Sequence, residues 1–133
     1  MRSIFVNLPV TDLDRATSFY AGLGFENNAQ FSDETAAAMV IEENVCVMLL
    51  TREKFATFVN GEVGDPAQST SVINTISAGS RAEADDLLSR ALAGGGKPWQ
   101  PALDHGVMYG VSFTDPDGNV WEAMWMDPAV LAG

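Results

Sequence analysis

The sequence predicts an α+β fold assembled from two similar halves, and three features of the chain carry that prediction. A strand, a helix and further strands follow one another twice, at an offset of roughly 68 residues that is close to half of the chain. Each half holds a single helix whose apolar residues recur at helical spacing, between segments whose apolar residues alternate. Near the C-terminus, Asp115-Pro116-Asp117-Gly118-Asn119-Val120-Trp121-Glu122 joins a tight turn to a strand. Pro116 presets φ, Gly118 tolerates φ > 0 and Asp115 can accept the turn's own amides, so two strands should meet there as a hairpin.

In chain order, Ser3 to Val10 reads as a strand with Ile4, Val6, Leu8 and Val10 on one face and Phe5 and Asn7 on the other. Asp12 caps the first helix, whose stripe is Leu13, Ala16, Phe19, Tyr20 and Leu23, and Gly22 and Gly24 close it before the chain becomes extended. Strands are expected at Ala36 to Glu42 and Val45 to Leu50. The segment from Lys54 to Thr70 is polar, contains Gly61, Gly64 and Pro66, and reads as a linker or flap with Phe55 and Phe58 as its anchors. In the second half Ser71 to Ala78 is a strand, and Ser80-Arg81-Ala82-Glu83 is a capping box opening a helix with Ala84, Leu87, Leu88, Ala91 and Leu92. Gly94-Gly95-Gly96 ends that helix; these glycines lack the strand-before-helix setting of a phosphate loop. Strands from Val107 to Thr114 and Asn119 to Met126 flank the turn. The expected organisation is one domain over 1–133, with modules at 1–53 and 71–133 and a linker at 54–70.

Composition narrows the function. A chain of 133 residues is one domain with room for a core. With 18 acidic and 7 basic side chains its net charge is −11, which removes electrostatic attraction to nucleic acid or to anionic membranes. No apolar stretch approaches the length of a membrane span and no signal-peptide pattern is present, so a soluble, cytoplasmic protein is expected. Cys46 is the only cysteine and lies in an apolar run, which excludes a disulfide framework and reads as a core thiol.

Glu122 is the residue most in need of explanation. It falls among Val120, Met124 and Met126, and a carboxylate in apolar company is paired, protonated or occupied by a ligand, because burial alone costs several kcal/mol. His105 is the only histidine, so no multi-histidine metal site forms within one chain, although two chains could each contribute it. In Asp104-His105-Gly106 it reads as a solvent-facing loop residue, with a ligand or general-base role as the alternative. No Gly-x-Ser-x-Gly elbow occurs, and nothing supports Cys-His chemistry.

The pattern V-T-D-L-D-R-A-x-x-F-Y-x-x-L-G-F at 10–25, followed by a helix ending in G-G and then by D-P-D-G-N-x-W-E, resembles the vicinal oxygen chelate superfamily. That superfamily includes glyoxalase I, extradiol dioxygenases, fosfomycin resistance proteins and bleomycin-binding proteins. The resemblance spans the whole chain and implies two βαβββ modules of the glyoxalase/bleomycin resistance/dioxygenase type, with curved sheets forming a cleft, usually in a homodimer. Its metalloenzymes draw ligands from four strands, typically His or Gln in the first strand of each module and Glu in the last. Carried over by position, these fall on Phe5, near Ile73, on Met48 or Leu49, and on Glu122. Only Glu122 matches, so the standard metal site is expected to be absent and no cofactor is expected, with a divalent metal, as in an unusual intersubunit site, left open.

What those positions leave is an apolar and aromatic cleft with Phe5, Asn7, Met48, Ile73, Thr75, Tyr109, Glu122 and Met124 as candidate lining residues, and Trp99 and Trp125 as added stacking area. Such a surface suits a small, partly apolar organic ligand. Met48, Ile73, Met124 and Trp125 read first as core packing, and Phe5 and Tyr109 as either core or lining, whereas Asn7 and Glu122 are polar and need partners, for Glu122 a ligand or a hydrogen bond with Tyr109, a tryptophan N–H or a backbone amide. Two classes of function follow. The first is a metal-free small-molecule binding protein. The second is a lyase or dioxygenase-type enzyme with Glu122 as general base or as ligand in an unusual site. A homodimer is expected, without nucleic-acid or membrane partners.

Overall fold

The structure, a computed structural model, describes residues 2–132. It divides into two compact units, Met1–Asp65 and Pro66–Gly133. No helix among the described residues is long and apolar enough to cross a membrane.

In the first unit β1 (Ile4–Val10), α1 (Leu13–Gly22), β2 (Glu26–Asn28), β3 (Ala36–Glu42) and β4 (Val45–Thr51) are followed by the short α2 (Arg52–Ala56). The sheet order is β1-β4-β3-β2, with β1 parallel to β4 and the other pairs antiparallel. Asp12 caps α1 by accepting the amide of Arg15 at 3.0 Å, as its position before the apolar stripe requires. The helix packs on β3 and β4, where Ala16, Phe19 and Tyr20 meet the fully buried Met39, Val47 and Leu49. Phe19 and Tyr20 lie edge to face at 5.0 Å, an arrangement that suits their quadrupoles. The period of two along each strand sends Phe5, Asn7, Cys46 and Met48 to the face turned away from α1.

Cys46 is therefore not the core thiol expected from its apolar run. Val45 and Val47 take the helix side, and Cys46, half-buried, takes the other. The expected linker also begins differently, because its first residues complete α2. Arg52 then donates to the carbonyls of Val63 and Gly64 at 3.2 and 3.1 Å, tying the segment back on itself. Phe55 is half-buried, but Phe58 is 62% exposed with the Lys54 ammonium 5.5 Å from its ring, so it does not anchor the segment by burial within this unit.

The second unit repeats the plan with β5 (Ile73–Ser77), α3 (Arg81–Ala93), β6 (Lys97–Pro98), β7 (Leu103–Asp104), β8 (Met108–Thr114) and β9 (Val120–Met126), and ends in α4 (Pro128–Ala132). The sheet runs β5-β9-β8-β6, β5 parallel to β9, with β7 also paired to β8. The capping box forms: Ser80 Oγ accepts from the Glu83 amide at 3.0 Å, and Glu83 Oε2 accepts from the Gly79 amide at 2.7 Å. Beyond the three glycines the chain forms two short strands, β6 and β7. Pro98 and Pro101 lack ladder donors, and between the strands the amides of Trp99 and Gln100 reach Ser112 O and Oγ instead.

The turn before β9 is held by one side chain. Asp115, 1% exposed, accepts on Oδ1 from the amides of Asp117 and Asn119 and on Oδ2 from Asn119 Nδ2, each at 2.9 Å. Gly118 supplies φ +101°, which a side chain rarely adopts. Trp121, Ala123 and Phe113 fill the core beneath α3, and the alternate residues of β9, Glu122 and Met124, face away from it.

Candidate ligand-binding site

On the helix-free face of the first sheet, two cross-strand rows bring the expected residues together. Phe5 stands beside Cys46 and Val40, and Asn7 beside Met48, Ala38 and Asn28. With Phe31 from the 3-10 turn Ala29–Phe31, they line a pocket of about 460 Å³. Phe5 and Phe31 are 61% and 63% exposed. Asn7 holds its amide by donating to the Phe5 carbonyl at 3.3 Å. Cys46 Sγ and Met48 Sδ lie 4.0 Å apart, and burial pushes the Cys46 thiol above its ordinary pKa. Phe5, Asn7 and Met48 are thus in one site, while Phe31, Val40, Asn28 and Cys46 are lining residues that the sequence reading missed. Alternation with Phe5 across a parallel pair would have found Cys46; Phe31 sits in irregular structure and left no periodic signal.

On the corresponding face of the second sheet the register sets Thr75, Glu122 and Ser112 in one row. Thr75 Oγ1 donates to Glu122 Oε1 at 3.0 Å, so the carboxylate is oriented by a hydroxyl. The face around Glu122 is therefore not wholly apolar as its own strand suggested. Thr75, a candidate already, is its partner, and Ser112, 6% exposed, is its neighbour on β8. Because the D-P-D-G hairpin pairs Thr114 with Val120, it also pairs Ser112 with Glu122, so the turn's symmetry held this information. Met124 lies against Gly110, where a Cβ would come within 2.8 Å of its terminal methyl. Ile73, 49% exposed, shares the face at the start of β5.

Tyr109 and Trp125 do not belong to that face. They pair with each other on the α3 side of the sheet, an odd number of residues from Ser112 and Glu122 along their strands, so Tyr109 is not the partner of Glu122. Its hydroxyl donates instead to Asp85 on α3, which raises the tyrosine pKa. The Arg81 guanidinium lies 5.0 Å from the Tyr109 ring and 5.2 Å from that of Trp125. Arg81 also binds Asp104 through both nitrogens at 2.8 and 2.9 Å and donates to the Gly106 carbonyl at 2.8 Å. The hydrogen bonds from Arg81 and from the Gly106 amide hold the Asp104 carboxyl at about 2. This cluster fastens the loop carrying His105, which is exposed, to the start of α3. Trp99 is half-buried and lies in a separate hollow beside the turn.

A divalent cation needs three or four nitrogen, oxygen or sulfur donors. Phe5 and Ile73 supply none, Met48 offers a thioether, and Glu122 is the single carboxylate among the four positions. Among the described residues no group of three or more His, Cys, Asp or Glu side chains is arranged to hold a metal ion. The residues at these positions do not fit the metal of the metalloenzymes they resemble.

A sequence profile of the Glyoxalase/Bleomycin resistance protein/Dioxygenase superfamily matches residues 3–123, and the chain belongs to that superfamily. No functionally curated protein matches it by sequence. Among solved structures, the chain is similar to hypothetical protein SA1046 from S. aureus, with a TM-score of 0.79 and 23% identity over 94% of each chain. It is also similar to a glyoxalase-related enzyme from Fulvimarina pelagi, with a TM-score of 0.78 and 20% identity over 94% of this chain and 88% of that one. A lactoylglutathione lyase from Agrobacterium tumefaciens gives a TM-score of 0.66 and 19% identity over 92% of this chain and 91% of the other. At these identities the likenesses establish the fold, an α+β arrangement with sheets of four and five strands.

Proposed function

We propose that this chain is a small-molecule binding protein that works without the superfamily's metal, taking an organic ligand in the pocket of the first unit. The observation that carries the reading is that pocket itself: about 460 Å³, walled by Phe5, Phe31, Val40 and Met48, with Asn7 as a polar anchor. Ligand sites typically span about 300–1,000 Å³ and combine apolar walls with a few fixed polar groups. On the second unit's own sheet face, Glu122, oriented by Thr75 and flanked by Met124, is a separate polar group that a ligand could engage.

The protein acts as a homodimer in this reading. β1 and β5 are each an edge strand of their own sheet, and Ile4 on β1 and Val72 and Ile73 beside and on β5 are 57%, 61% and 49% exposed, edges that another chain would cover. Sedimentation at micromolar concentration should give twice the 14.2 kDa of one chain.

The Thr75–Glu122 hydrogen bond supports a second reading, an enzyme of lyase or dioxygenase type, since a carboxylate with a fixed orientation can serve as a general base. A thermal-shift screen of chelator-treated protein separates these possibilities. A ligand at one hundred times its Kd adds about 2.7 kcal/mol, a rise of several degrees. The binding reading expects hits without metal whose effect is lost in Phe5→Ala. Hits that are consumed, with turnover lost in Glu122→Gln, would favour the enzyme. Stabilisation only when zinc, nickel or iron(II) is supplied would defeat the metal-free reading.

A further inference from the structure

We propose that the pocket of the first unit selects small organic cations with an aromatic body, an inference that rests on the ligand-binding reading above. Phe5 and Phe31 stand at the pocket with 61% and 63% of their surfaces exposed, so ring faces are available to a flat ligand. Glu42 and Glu43 are among the residues lining the same pocket, where β3 turns into β4, and the other polar lining residues, Asn7 and Asn28 among them, are neutral. Among the described residues no lysine, arginine or histidine lines it. Glu26 shares this sheet face opposite Val40 and adds charge of the same sign. Arg2, the cation nearest in sequence, contributes its backbone carbonyl to Asn44 and is not part of the lining.

Among the described residues, the charged side chains at the pocket therefore favour a positive ligand. An ammonium near an aromatic face gains from the ring quadrupole, and the two carboxylates add Coulomb attraction. An anion of the same shape meets two like charges and the field of a chain carrying −11. Neutral amides can orient a ligand without reversing this preference.

The test is a matched series, tryptamine, tryptophol and indole-3-acetate, titrated into the metal-stripped full chain by calorimetry or ligand-observed NMR. The three share an indole and differ in charge. Tryptamine should bind roughly threefold to tenfold more tightly than tryptophol, and indole-3-acetate most weakly. The advantage of tryptamine should shrink as salt rises from about 20 mM to about 300 mM, because both carboxylates are exposed. The double substitution Glu42→Gln/Glu43→Gln should erase the difference between tryptamine and tryptophol. Equal affinity for all three compounds would overturn the charge preference while leaving the ligand seat intact. Binding of none of them would remove the seat, and this inference with it. Tryptamine affinity that falls as protein concentration rises would put a second copy of the chain in the pocket and overturn the proposal.

Discussion

Gly118 is required less for its flexibility than for what lies against it, and replacing it by alanine separates the two effects. At φ +101° a Cβ would stand 2.9 Å from Ala67 N, Ala67 Cα and the Pro66 carbonyl carbon, all of them backbone atoms that cannot swing aside. Holding an L-residue in this region costs about 1–2 kcal/mol. Pushing the 66–67 backbone off the turn adds about 1–3 kcal/mol, as overpacking generally does. The stiffer unfolded chain returns about 0.4–1 kcal/mol, so Gly118→Ala should cost about 2–4 kcal/mol. Gly95→Ala is the control in the same unit: its φ is +103°, but its Cβ would meet only Pro116 Cγ at an ordinary 3.9 Å. It should cost about 1 kcal/mol. Urea unfolding followed by tryptophan fluorescence reads this unit alone, because Trp99, Trp121 and Trp125 all lie in it. Equal losses in the two variants would refute the reasoning, since they would leave the packing of residues 66–67 on the turn without energetic weight.

Other outcomes follow from single contacts. Glu122→Gln keeps an oxygen for the Thr75 hydroxyl, so stability should change by less than about 1–2 kcal/mol while ligand affinity or turnover falls; a large stability loss with unchanged affinity would make Glu122 structural. The Asp104 carboxyl is depressed from 3.8 to about 2, so the stability its contact with Arg81 provides is fully present above about pH 4 and is lost as pH falls toward 2. Acid titration of unfolding should show this loss in the parent and lack it in Arg81→Ala. Cys46, with its pKa raised by burial, should react with a disulfide reagent at pH 8 more slowly than free cysteine, and slower still with ligand bound. Unchanged reactivity in the presence of a saturating ligand would put that ligand elsewhere.

Much of this fold was legible because the local signals were chemically unambiguous. Asp12 and Ser80 are good N-caps immediately before apolar stripes, Gly118 and Asp115 fix a turn, and the alternation of β1 leaves little choice of face. Elements without periodicity escaped: β2 is three residues long, α2 is one turn and a half, and β6 and β7 are fragments separated by prolines. The candidate site was legible where a single strand decided it, as with Phe5, Asn7 and Met48. It was misread where the answer depended on a partner strand. Tyr109 and Glu122 both read as inward-facing, yet the hairpin register puts them on opposite faces, and only pairing through the turn reveals that Thr75 and Ser112 flank the carboxylate. Cys46 was lost to the core for the same reason, since an apolar run hides which of its residues point to the helix.

In the proposed function an organic ligand occupies the face of the first sheet turned away from α1, without metal. Amide chemical-shift mapping of isotope-labelled, chelator-treated protein, titrated with a hit from the thermal screen, tests it most directly. Saturable shifts are expected at residues 5–7, 28–31, 38–40 and 46–48, with α1 little affected. Shifts that emerge only after a divalent metal is added, or that leave residues 5–7 and 46–48 unmoved, would contradict it.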